Sequence, residues 1–239
     1  MKSYLIFTFT LISVLLSGQT VFKNPGIAAR ESFEIIDFID NTVGFKPATF
    51  DIELKEINGK KIYFIKVNEG NIYLTEIEAN YNDLTTISEK RTDLRTNQVE
   101  ELFENKGNGQ IHFYNRQEKI DKDFLNDNKN IYSRNSFFFC FRGFPFGIGK
   151  SVTFQSYMAE YGNALTLRLT HVGKETVVVK AGTFECNKME LEVAGWQSLF
   201  APNKFYLYFE ANPPYQFVKY AEKGDDGQWK SNELTKIVK

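Results

Sequence analysis

The sequence predicts a mainly β protein whose strands pair antiparallel in one large sheet. Segments of alternating apolar and polar residues recur almost to the end of the 239-residue chain, separated by turns rich in Gly and Asn. Helical periodicity is nowhere sustained across three turns. The chain is also rich in aromatics, with 23 Phe and 12 Tyr, and aromatics at alternate strand positions usually fill a sheet core. About a dozen hairpin-linked strands are legible, and so many must curl or close to limit exposed edges.

The first segment, "MKSYLIFTFTLISVLLSGQ", has one lysine, an apolar run from Tyr4 to Leu16, and then Ser17 and Gly18. That is the layout of a secretory signal peptide, with cleavage expected after Gly18; an uncleaved anchor is the competing reading. The predicted division is therefore a signal peptide over 1–18 and a single β domain over 19–239. No cysteine follows the apolar run, and no second long apolar run exists. After cleavage no transmembrane span is expected, and the protein is expected to be exported.

Strand signals then follow in order. "TFDIELKEI" places Phe50, Ile52 and Leu54 on one face, and "IYFIKVN" returns after Asn58-Gly59. Both of those turn residues tolerate the positive φ of a type I′ hairpin. "IYLTEIEA", "LTTISEKRT" and "QVEELFENK" continue the pattern, and "GNG" at Gly107 turns the chain into "QIHFYNRQEK". The polar stretch from Ile120 to Asn130 reads as a surface loop. "ALTLRLTHV", a turn at "GKE", "TVVVKAG" and "TFECNKMELEV" read as a meander, and "KFYLYFEA", "PYQFVKYAEK" and "WKSNELTKIV" complete it. Phe184 and Cys186 are out of phase with Met189, Leu191 and Val193, which predicts a β-bulge near Asn187-Lys188.

"YSRNSFFFCFRGFPF" is too apolar for a half-solvated strand. It reads either as a buried strand or as a short helix capped by Ser133 or Asn135, with Phe137 and Phe141 together at i,i+4. Gly143 and Pro145 would end the helix. The next residues, "RGFPFGIGKS", resemble a phosphate-binding loop only superficially. The required glycine would fall at Phe144, Pro145 removes one backbone N–H, and a strand pattern follows where a helix should begin. No nucleotide is expected.

From the aromatic segment to the C-terminus, the order of signals resembles a family of exported Gram-negative proteins of unknown function, related in fold to the lipoprotein carriers LolA and LolB. The matching stretches are "RGFPFGIGKSVTF", "VGKETVVVKAGTFECNKMELEV" and "FYLYFEANPPYQFVKYAEKG". The resemblance implies a LolA-like half-barrel: one strongly curved antiparallel sheet with one or a few short helices covering its open side. It also implies residence in the periplasm or at the outer-membrane periphery.

Little in the sequence asks for catalysis. Lys plus Arg total 29 against 30 for Asp plus Glu, so no basic excess attracts nucleic acid. His112 and His171 lie in separate strand patterns, and a lone strand histidine is more often a hydrogen-bonded core residue than a base. No metal or cofactor motif appears. Cys140 and Cys186 are the only cysteines, and spacing leaves their pairing open. The favoured function is a non-enzymatic binding or carrier protein with an apolar cavity, its ligand a lipid or acyl chain. Candidate ligand-binding residues are Phe137, Phe138, Phe141 and Trp196. A structural or assembly protein of the envelope, partnered by another envelope protein, is the alternative; an enzyme on the same scaffold ranks third.

Overall fold

The computed structural model describes residues 21–239 except 41, 44–46, 108, 126–130, 159–162, 196, 197, 199–203, 225 and 239. The expected signal peptide and Trp196 lie outside the described residues.

The first run of strands comprises β1 (Arg30–Ile39), β2 (Thr42–Val43), β3 (Ala48–Ile57), β4 (Lys60–Glu69), β5 (Tyr73–Asn80), β6 (Thr86–Asp93), β7 (Gln98–Gly107), β8 (Gln110–Asn115) and β9 (Ile120–Leu125). The second comprises β10 (Ile131–Tyr132), β11 (Ser151–Met158), β12 (Asn163–Val179), β13 (Gly182–Val193), β14 (Phe205–Glu210), β15 (Phe217–Lys223) and β16 (Trp229–Val238). Between β10 and β11 lies a short helix, α1 (Phe137–Cys140), with a single 3-10 turn on either side.

All the strands belong to one sheet, ordered β10-β11-β12-β13-β14-β15-β16-β1-β3-β4-β5-β6-β7-β8-β9, with β2 attached to β1 alone. The first and the last described strand are thus neighbours at its middle, in register from Ser32↔Val238 to Ile39↔Lys230. Every pairing is antiparallel except the two-residue contact of β10 with β11. The sheet is strongly curved but not closed into a barrel. Its two edge regions meet through side chains: the Tyr157 ring of β11 lies 4.0 Å from Phe113 of β8 and 4.9 Å from Phe124 of β9, centroid to centroid.

Local chemistry explains the turns. Asn58 and Gly59 take φ of 51° and 73°, the two positive values that a tight β3–β4 hairpin requires. Gly143 is needed for a different reason. The backbone of Lys23 crosses it, donating to its carbonyl at 2.9 Å, and a Cβ at position 143 would stand 2.7 Å from the Lys23 carbonyl oxygen. This crossing seats Phe22, fully buried, among Tyr132, Phe141 and Phe154.

Several expectations require correction. Of the stretch expected as a loop from Ile120 to Asn130, Ile120–Leu125 is instead the edge strand β9, because Ile120 and Phe124 pack inward while Asp121 and Asp123 remain solvated, and 126–130 lie outside the described residues. The "GKE" stretch does not turn. β12 runs straight through Gly173, and the reversal comes at Lys180-Ala181, between the paired Val179 and Gly182. The bulge lies on β12, where Val172 is the extra residue between His171 and Gly173, while β13 keeps unbroken register with β14. Neither Ser133 nor Asn135 caps α1 through its side chain, since Asn135 reaches instead to Glu89 at 2.5 Å. Both cysteines are free and buried. Burial pushes the Cys186 thiol up to about 12 and raises the Cys140 thiol as well.

Candidate functional site

The inward positions of adjoining strands fall in rows across the sheet, and the rows show where its chemistry changes. One row runs Phe33, Phe50, Val67, Thr75, Arg91, Glu101 and Asn115 from β1 to β8. The next inward row runs Ile35, Ala48, Glu69, Tyr73 and Asp93. The concave face is therefore apolar on β1, β3 and most of β4 and turns polar at β5 and β6. On the other flank, Leu165, Leu167, Leu191, Val193 and Leu207 of β12, β13 and β14 continue the apolar wall.

These walls enclose a cavity of about 1360 Å³. Phe137, Phe138, Phe50 and Phe217 are among the rings that line it. Phe138 is held edge-on against Phe50 at 4.4 Å and Phe33 at 6.1 Å. Phe137 stacks on Phe141 at 4.6 Å, the i,i+4 contact expected of a helix. Phe141 itself does not reach the cavity. It is fully buried on the far side of α1, against Phe22 and Phe154.

The α1 segment is pinned at its C-terminal end. The Arg142 side chain is 1% exposed, and its guanidinium donates to both Glu31 carboxylate oxygens at 2.6 and 3.0 Å and to the Pro214 carbonyl at 2.9 Å. At its N-terminal end the ties run to β6: Ser133 N–H donates to Thr86 Oγ1 at 3.0 Å, and Asn135 Nδ2 to Glu89 Oε1. Glu89 is buried, and its carboxyl is pushed up to about 7, first by desolvation and then by the negative charge of Glu101.

A polar ladder runs across β1, β16 and β15, where Asp37 pairs with Asn232 and Asn232 with Tyr220. Asn232 donates to Asp37, and the Tyr220 hydroxyl donates to Glu222 at 2.8 Å. Burial raises the Asp37 carboxyl, opposed by that Asn232 hydrogen bond. On the β5 and β6 side, Arg91 pairs with Glu69 at 2.8 Å and lies over the Tyr73 ring at 4.2 Å, while Arg95 pairs with Asp93 at 2.6 Å. Sequence reading missed this polar wall.

The histidines stand apart from the cavity. Gly147 N–H donates to His171 Nδ1 at 3.1 Å, so Nε2 carries the proton and donates to the Gly173 carbonyl at 2.8 Å. His171 also exchanges backbone bonds with Gly149 and Lys150, and in this way the "GIGK" loop docks on β12. His112 lies on the β8–β9 hairpin, 2.9 Å from Asp123. Among the described residues no group of three or more His, Cys, Asp and Glu side chains is placed to hold a metal ion.

No protein-family model and no curated protein matches the chain. Its structural neighbours include proteins described as exported or as lipoproteins and a member of a domain family of unknown function. A protein of Bacteroides fragilis described as exported, with a YmcC-like fold, is 13% identical at a TM-score of 0.35, covering 92% of this chain and 100% of that one. A beta-barrel-like protein of a domain family of unknown function from Brucella abortus is 8% identical at a TM-score of 0.42, with 87% and 95% covered. The hypothetical lipoprotein YmcC of Escherichia coli is 11% identical at a TM-score of 0.36, with 87% and 85% covered. At such distances these neighbours leave the chemistry of the site to its own walls.

Proposed function

We propose that this is an exported, non-enzymatic carrier-type protein that holds a lipid or acyl chain inside its curved sheet, in the periplasm or at the outer-membrane periphery. The observation that carries the reading is the cavity itself. Its volume of about 1360 Å³ lies above the range of roughly 300–1,000 Å³ typical of small-molecule pockets, and its walls are mostly aliphatic and aromatic. Each methylene buried there contributes about 0.8 kcal/mol, so an acyl chain gains affinity along its whole length before the cost of ordering it is subtracted. The engagement of both His171 nitrogens by backbone groups supports a binding role over catalysis.

The test pairs ligand binding with stability. Wild-type protein purified without detergent is titrated with the apolar fluorophore N-phenylnaphthylamine, and native mass spectrometry looks for a co-purified lipid. Saturable binding is expected. Ala48, a small residue on the cavity wall, offers a way to block it: Ala48→Trp should fill part of the cavity and abolish binding while thermal unfolding stays cooperative. Phe138→Ala should alter probe affinity in a protein that remains folded. If no variant binds saturably and Phe138→Ala costs on the order of 3–5 kcal/mol, the ring is core and a structural envelope role replaces the carrier reading.

A further inference from the structure

The polar half of the concave face carries unmet hydrogen-bonding capacity in one place. Thr75 is 1% exposed and lines the cavity, yet its Oγ1 has no partner among the described residues. Its cross-strand neighbour is Arg91, whose Nε is likewise buried and unpartnered. One inward position along β6 from Arg91 is Glu89, whose Oε1 is held by Asn135 and whose carboxyl is also stabilised by the Ser133 hydroxyl. Buried polar atoms without partners are rare, and the one that lines the cavity, Thr75 Oγ1, marks a place built to meet another polar group.

Charge decides which kind of group. Glu69 is bonded to Arg91 and Asp93 to Arg95, and Glu101 accepts from Asn115 at 2.9 Å. Arg91 and Arg95 therefore already face carboxylates. Beside Thr75, a free phosphate, carboxylate or ammonium would have to shed its hydration against an Arg91–Glu69 pair that is already made, which costs more than it returns. A hydroxyl is far cheaper to desolvate and can both donate to and accept from Thr75, and an ester carbonyl can accept from it.

We infer that the cavity's ligand is an amphiphile with an uncharged head bearing hydroxyl or ester groups, its head against Thr75 and Asn135 and its chain along the apolar wall. This rests on the carrier reading above and names the class of molecule carried. Bound N-phenylnaphthylamine is displaced by four competitors that share one chain: monopalmitoylglycerol, palmitate, hexadecylamine and hexadecane. The neutral glyceride is expected to displace the probe at about tenfold lower concentration than the two charged amphiphiles, the effect of a buried hydrogen bond or two. Thr75→Val keeps shape and removes only an unpartnered hydroxyl, so it should fold as well as wild type. It should lose the glyceride's advantage and leave hexadecane displacement unchanged. Equal displacement by every head group, with Thr75→Val indistinguishable from wild type, would overturn this inference and leave the apolar carrier in place. Failure of any competitor or probe to bind saturably would overturn the carrier reading itself.

Discussion

Glu89 is an unusual residue to find inside a sheet, and its cost can be read from solution behaviour. Its carboxyl is raised from an ordinary 4.5 to about 7 by burial and by the charge of Glu101, against the hydrogen bonds of Ser133 and Asn135 and the charge of Arg134. Between those two values the folded protein keeps a proton that the unfolded chain has released. Stability therefore falls as pH rises from 4.5 towards 7 and stays lowered above that, by about 3 kcal/mol for this group. Glu89→Gln keeps an acceptor for Asn135 and removes the titration. Urea unfolding across the range from about pH 5 to about pH 8 should show the variant gaining on wild type as pH rises, with the largest difference at the alkaline end. Parallel curves would mean that Glu89 is not held in an apolar setting. The same residue shows why the polar wall escaped sequence reading. In "ISEKRTD" both alternating phases are polar, Ser88, Lys90 and Thr92 in one and Glu89, Arg91 and Asp93 in the other. Neither phase announces itself as the inward one.

Among the elements, those with one clean apolar phase and a strong turn were legible. The β3–β4 hairpin is the best case, since Asn58-Gly59 dictates both the turn and the register. β1 was missed because "ESFEIIDFID" mixes apolar residues in both phases, as suits a strand at the middle of a sheet flanked by β16 and β3. β9 was hidden by its charges, which are what an edge strand needs. The apolar lining of the candidate site was foreshadowed by the phenylalanine run, but its anchoring was not, because Glu31 lies 111 residues from Arg142 in sequence. That anchor makes a sharp prediction. Arg142→Met leaves the Glu31 carboxylate without its cation and should cost about 3–5 kcal/mol in thermal or urea unfolding. Adding Glu31→Leu removes the stranded charge and should restore most of that loss, a coupling that a double-mutant cycle reads directly. If the two losses simply add, the pair does not hold α1 in place.

At the scale of the whole molecule, the pairing of β1 with β16 makes the two runs of strands one cooperative unit, while on the opposite side the sheet margins meet through a small apolar cluster of Phe103, Ile111, Phe113, Ile131 and Tyr157. Tyr157 is the ring that both β8 and β9 touch. Tyr157→Ala should lower stability by about 3 kcal/mol, the cost of deleting a large buried aromatic. The consequence reaches beyond the single molecule. A strand edge with unpaired amides is a template on which a second chain can grow, and the commonest outcome is aggregation. Here β9 and the β10–β11 margin face each other, and β9 presents Asp121, Lys122 and Asp123 to solvent. The protein thus screens its own templates by folding them towards one another. In Tyr157→Ala that screen is lifted, and size-exclusion chromatography at rising concentration should show dimers and larger strand-exchanged species that the wild type does not form. A variant that stays monomeric at every concentration would mean that the charges of β9 alone keep neighbouring molecules from adding a strand.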